Sequence, residues 1–114
     1  MGREVQVMNR YLAEAVKLAM TSRCRHRHGC VVVYDGIIIG AATNKVVSDQ
    51  TKGWRKSHVH AEAAALMQAG TRANGAHVYV ARVLKDGSPA DSRPCRKCEG
   101  FLERYGVKSV RWTA

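Results

Sequence analysis

The chain has 114 residues, nineteen Lys and Arg against nine Asp and Glu, and a formal net charge of +10. That length makes one domain, residues 1–114, whose core can stand without disulfide staples. No apolar run approaches the ~18 residues of a membrane span, which excludes a spanning helix and leaves no membrane partner to expect. The N-terminus, "MGREVQVMNRYLAEAVKLAMTS", has acidic residues and periodic apolar positions where a signal peptide has a basic start and an unbroken apolar stretch, so a cytoplasmic location is expected. There, four cysteines serve as ligands, catalysts or core fillers sooner than as a disulfide framework. The positive charge suits either a polyanion partner or a plain basic surface.

In chain order, Val5, Met8, Leu12, Ala15, Val16 and Ala19 recur at helical spacing, predicting an amphipathic helix from about Arg3 to Met20. A polar basic loop, "SRCRHRHG", follows. "CVVVYDGIIIGAA" places two β-branched runs around Tyr34-Asp35-Gly36, a hairpin signal. Residues from Asn44 to Val59 read as a long basic loop containing Trp54. A helix is expected from about His60 to Ala69, stopped by Gly70. "AHVYVARVL" is a strand and "KDGSPADSR" a turn-rich loop. Pro94 opens a second short helix through about Tyr105, closed by Gly106, and "KSVRWTA" supplies a last strand. The order α-β-β-α-β-α-β predicts an α/β fold: a four-stranded mixed sheet between helices, with the last strands joined by a crossover.

The chemistry is concentrated in two places. Cys95 and Cys98, three apart at a helix start, share a helix face. With His60 they make a donor set suited to zinc, whose fourth tetrahedral position stays open for water; three ligands mark a catalytic site and four a structural one. The alternatives are a closed site completed by His58 or Cys30, or no metal. Both helices would start at the ion, their dipoles favouring thiolate and hydroxide. Glu62, two residues after His60, can reach the activated water without coordinating, which is the position of a general acid and base.

"HAEAAAL", "RPCRKC", the tail "GVKSVRW" and the hairpin "GCVVVYDGIIIGAATN" together resemble the cytidine and deoxycytidylate deaminase superfamily, over most of the chain from Gly29 onward. The resemblance implies a cytidine deaminase-like α-β-α sandwich and a hydrolase that replaces the exocyclic amine of a nucleobase by a carbonyl. It implies His60, Cys95 and Cys98 as zinc ligands and Glu62 as the proton carrier. It also implies that Asn44 contacts the sugar or base, that the Ala61 amide holds a ring carbonyl, and that the Arg93 carbonyl accepts from the exocyclic amine. The family usually has a fifth strand beyond the last one found here, so that strand is expected at an edge.

Free-nucleoside members usually have a cysteine where His60 stands, and deoxycytidylate deaminases share the histidine but are usually longer. Ten basic residues, over half of the total, fall in the three loops expected around the metal: Arg23, Arg25 and Arg27; Lys45, Lys52, Arg55 and Lys56; Arg93, Arg96 and Lys97. One phosphate uses one or two of these, whereas a polynucleotide uses many. Trp54, His26, His28 and His58 share the loops and suit base stacking, although Trp54 could equally pack on the domain. The expectation is a cytosine deaminase acting on single-stranded DNA. Deoxycytidylate or free-base deamination, transfer-RNA adenosine deamination, and a non-enzymatic nucleic-acid-binding module with structural zinc are the alternatives. A homodimer is the expected self-association. Cys30 reads as a buried small hydrophobe, Cys24 receives no role, and Tyr79, Phe101 and Trp112 are assigned to packing.

Overall fold

The computed structural model describes residues 9–49 and 55–114. Helix α1 spans Arg10–Thr21. Asn9 is extended, and its side-chain oxygen accepts the Leu12 N–H at 2.7 Å, satisfying a donor that a helix start leaves open. The described helix therefore starts at Arg10; the part of the expected helix that covers residues 3–8 lies outside the described residues.

Strands β1 (Arg27–Tyr34) and β2 (Ile37–Thr43) form the expected hairpin. Asp35 and Gly36 both have positive φ, 51° and 75°, the twist-matched turn for a two-residue connection. The basic segment that follows is not a plain loop. Its described parts, β3 (Lys45–Asp49) and β4 (Arg55–Val59), pair antiparallel from Lys45 opposite Val59 to Asp49 opposite Arg55, and this ribbon is separate from the main sheet. Backbone pairing there needs no apolar alternation, which is why the sequence conceals it.

Helix α2 (Ala61–Ala69) leads through a short 3₁₀ turn to strand β5 (His77–Val83). The turn-rich loop contains a two-residue strand, β6 (Pro89–Ala90), which extends the sheet beside Arg82 and Val83. Helix α3 (Arg96–Arg104) starts two residues after Pro94, with Cys95 at its cap, and β7 (Ser109–Trp112) ends the fold. The main sheet therefore has five strands where four were expected, in the order β2-β1-β5-β6, with β7 parallel to β5 and every other pair antiparallel. Among the described residues β7 pairs with β5 alone, so it is an edge.

Side chains alternate across β1 and β5 and create two cores. Val31, Val33, Tyr79 and Ala81 face α1, packing with Ala15, Tyr11 and Leu18. Cys30, Val32, Val78 and Val80 face the other way, packing with Ala61, Ala65 and Leu66 of α2 and Leu102 of α3. The result is the expected three-layer sandwich. Glycines set the spacing of both helix layers. A Cβ on Gly29 would lie 2.3 Å from the Ala15 carbonyl oxygen, and one on Gly40 the same distance from that of Ala65, so each helix backbone rests directly on a strand.

Candidate metal centre

Helices α2 and α3 start at the same place. Their cap positions hold His60 and Cys95, both extended, and neither side chain makes a capping hydrogen bond. Ser, Thr, Asp or Asn would hold a helix start better; these two caps instead leave their donor atoms for another purpose. The backbone carbonyls still receive the first helical bonds, from Ala64 to His60 at 3.1 Å and from Glu99 to Cys95 at 2.8 Å.

The ligand atoms of His60, Cys95 and Cys98 all lie within 4.8 Å of one another. His60 Nδ1 is 3.2 Å from Cys98 Sγ and 3.7 Å from Cys95 Sγ. Zinc bonds of ordinary length at a tetrahedral angle hold nitrogen and sulfur about 3.6 Å apart, so the set fits zinc, with Nδ1 as the imidazole donor. The donor chemistry fits as well. Burial, then the neighbouring Glu62 and Cys95, pushes the buried Cys98 thiol well up, so its thiolate needs a cation beside it. The two helix starts add partial positive charge. Cys30 and His58, the alternative fourth ligands, do not join the donor set among the described residues.

Glu62 lies in the first turn of α2 and is only 5% exposed. Burial raises its pKa, against the opposing pull of its own backbone N–H, of His60 and of a hydrogen bond with Cys98. A carboxyl poised upward and placed beside the donor set is chemically suited to carrying protons.

Around these groups is a cavity of about 400 Å³, of a size that holds one nucleotide. Asn44, Ala61, Arg93, His28 and His58 all line it, together with His26, Lys45 and Ser92. Asn44 is already heavily engaged: Oδ1 accepts from the His28 amide at 2.9 Å and Ser22 Oγ at 2.7 Å, while Nδ2 donates to the His26 carbonyl at 2.6 Å. These partners fix the amide's orientation and leave one Nδ2 hydrogen for a ligand. His28 has a lowered pKa, from burial first and then from Arg82, His60 and His26. Arg93 rests its guanidinium 5.9 Å from the Trp112 ring.

The basic residues divide. Arg27 does not turn to the cavity; its guanidinium donates to the Leu84 carbonyl. Arg23, Arg96 and Lys97 are exposed, Arg25 too, and Lys97 borders a smaller recess on the other side of His60, with His58 and Phe101. Arg55 and Lys56 lie on β4, and Trp54 and Lys52 fall outside the described residues. Two residues of the site escape a reading of the sequence, Ser92 and Thr113. Ser92 Oγ lies 2.9 Å from the Val80 carbonyl and 2.8 Å from Thr113 Oγ1, and Thr113 Oγ1 donates to the Ala90 carbonyl at 2.6 Å. Both residues are buried, and they anchor the segment that delivers Arg93 and Cys95. A serine or threonine in a polar stretch gives no sequence sign of such burial.

Among curated proteins, sequence comparison finds no match. Among solved structures the chain is similar to RibD from Acinetobacter baumannii at 27% identity and a TM-score of 0.60, covering 96% of this chain and 28% of that one. It thus spans less than a third of that protein. It also has the fold of the dCMP deaminase from cyanophage S-TIM5, at 22% identity and a TM-score of 0.68 in the complex with dCMP and dUMP, covering 90% of this chain and 76% of that one. A family profile described as the cytidine and deoxycytidylate deaminase zinc-binding region matches residues 5–114. That match spans nearly the whole chain and includes the three donors and Glu62: the chain belongs to the cytidine and deoxycytidylate deaminase family of zinc-dependent hydrolases.

Proposed function

We propose that residues 1–114 act as one deaminase domain that hydrolyses the exocyclic amine of cytosine, giving uracil and ammonia, with single-stranded DNA as substrate. The observation that carries the reading is the convergence of His60, Cys95 and Cys98 with a buried Glu62, where His60, Glu62 and Cys95 line a cavity whose other charged and titratable lining groups, His26, His28, Lys45, His58 and Arg93, are basic.

Zinc held by the three donors supplies Lewis acidity that makes water nucleophilic at neutral pH. Glu62 takes a proton from the attacking water and passes it to N3 of the ring. The water's second proton returns through the same carboxylate to the amine, which leaves as ammonia. The Ala61 amide, in the first turn of α2, is the donor for the ring carbonyl, and the Arg93 carbonyl, fixed by Ser92 behind it, is the acceptor for the amine. Asn44 offers its remaining hydrogen to the sugar. His28 and His58 flank the base. Arg23, Arg25, Arg96 and Lys97, with Lys52, Arg55 and Lys56 of the sequence between Asn44 and Val59, supply charge for neighbouring phosphates, so polymer binding is salt-dependent.

Deoxycytidylate is the second reading, favoured by a cavity sized for one nucleotide and by the likeness to a phage dCMP deaminase. Parallel assays on single-stranded oligonucleotide, duplex, transfer RNA and free deoxycytidine nucleotides, at two salt concentrations, separate these. Uracil formed fastest in the single strand, with a rate that falls as salt rises, supports the proposal. Preference for the free nucleotide without salt dependence overturns the choice of polymer.

A further inference from the structure

Asn44 brings to the cavity wall a carboxamide whose hydrogen-bonding capacity is almost fully committed. Such a group has two lone pairs on its oxygen and two hydrogens on its nitrogen. Both lone pairs of Oδ1 are taken, by the His28 backbone N–H at 2.9 Å and by Ser22 Oγ at 2.7 Å, and one Nδ2 hydrogen goes to the His26 carbonyl at 2.6 Å. A backbone N–H only donates and a carbonyl only accepts, so these partners decide which end of the carboxamide is oxygen. A single N–H is left for a ligand.

Ser22 is not used by the mechanism above. It closes α1, its N–H bonded to the Ala19 carbonyl at 3.1 Å, and it is buried. The Cys24 N–H donates to Ser22 Oγ at 3.2 Å, so the hydroxyl hydrogen is free to donate to Asn44 Oδ1. The Cys24 amide, the Ser22 hydroxyl and the Asn44 carboxamide therefore form a chain of donors running one way, in which each bond polarises the next and strengthens the last N–H. Without that hydroxyl, Oδ1 regains an open lone pair and the carboxamide becomes an acceptor as well as a donor.

We propose that Ser22 is a positioning residue that makes Asn44 a donor-only contact, so that the sugar oxygen it meets needs no hydrogen of its own. The inference rests on the deaminase reading, with Asn44 facing the sugar, and deepens it toward the substrate class. In free deoxycytidine the 3′ and 5′ oxygens are hydroxyls, which donate and accept. Inside a strand both are esterified and the ring oxygen is an ether, so all of them only accept. A donor-only Asn44 suits each, whereas a carboxamide presenting its oxygen would meet them lone pair to lone pair. The contact thus admits cytosine whose sugar is blocked at both ends.

The test uses zinc-loaded wild-type, Ser22→Ala and Ser22→Thr proteins, with zinc content measured on each. Nitrogen-15 NMR follows solvent exchange of the Asn44 side-chain hydrogens, and turnover is measured on deoxycytidine and on its 3′,5′-di-O-methyl ether. Ser22→Ala is expected to speed that exchange about tenfold and to raise KM by about three- to tenfold, with kcat and zinc content held; Ser22→Thr recovers most of both changes. The wild type is expected to deaminate the diether with kcat/KM within about threefold of that on deoxycytidine, and a larger loss overturns the donor-only contact. Exchange and KM unchanged in Ser22→Ala, or kcat and zinc lost together with KM and not recovered by Ser22→Thr, overturns the positioning role. If no cytosine substrate turns over while the exchange still responds to Ser22, the deaminase reading fails and the hold on Asn44 stands. Turnover with exchange indifferent to Ser22 removes that hold and leaves the deaminase reading in place. Should Ser22→Ala not fold, Ser22→Cys, a weaker donor of similar size, carries the same comparison.

Discussion

At the level of single residues, His60 and Cys95 stand at helix starts where better capping residues would stabilise the fold, and they bring their donor atoms to Cys98. This conflict between local preference and placement is what made the donor set legible in the sequence: His, Cys and Cys at those spacings have little reason to meet except around an ion. Glu62 was legible for the same reason, as a carboxylate that ends up buried beside them. Arg82, Ser92 and Thr113 were not, because their burial is decided by strand pairing far along the chain and nothing in their neighbouring residues encodes it. His28 yields a prediction at this scale. Its folded pKa is lowered, so the unfolded chain takes up a proton below about 6.5 that the folded chain refuses. This contribution to stability is complete above that pH and is lost as pH falls from there toward the lowered folded value. Thermal melts of the zinc-saturated protein between pH 7.5 and about 5 should show the unfolding temperature falling, and His28→Gln should flatten part of that fall. Identical slopes for the two proteins would contradict the assignment.

At the level of elements, the helices and the apolar strands were readable and the polar strands were not. The hairpin, α2 and β5 declare themselves through β-branched runs, a positive-φ turn and small residues that let helices rest on strands at Gly29 and Gly40. The β3–β4 ribbon and β6 carry lysine, serine, histidine and proline, so only backbone pairing reveals them. β6 matters more than its two residues suggest, because with Ser92 and Thr113 it fixes the chain leading into Cys95. Thr113→Val keeps the shape and removes the hydroxyl, leaving the Ala90 carbonyl and the Arg82 amide without their partner. The expected cost is about 1–3 kcal/mol in urea unfolding, together with weaker zinc retention in a competition with a chromophoric chelator. Thr113→Ser should restore most of both. Zinc affinity unchanged in Thr113→Val would show that this anchor does not position the metal loop.

At the level of the whole molecule, the net charge of +10 is a general clue that becomes specific through geometry. His26, His28, Lys45, His58 and Arg93 line one cavity, while Arg27 is turned to a neighbouring loop and contributes nothing there. Of the ten basic residues counted in the sequence, Lys45 and Arg93 are the two that line the cavity among the described residues. No described helix is long and apolar enough to cross a membrane. The central claim is that three protein donors hold zinc while Glu62, outside that set, moves the protons. Its most direct test is the turnover of zinc-loaded Glu62→Gln on the best cytosine substrate, with metal content measured on the same sample. The account predicts one zinc per chain and a kcat lowered by about 10²–10⁴-fold. Turnover close to wild type with the zinc in place would contradict it.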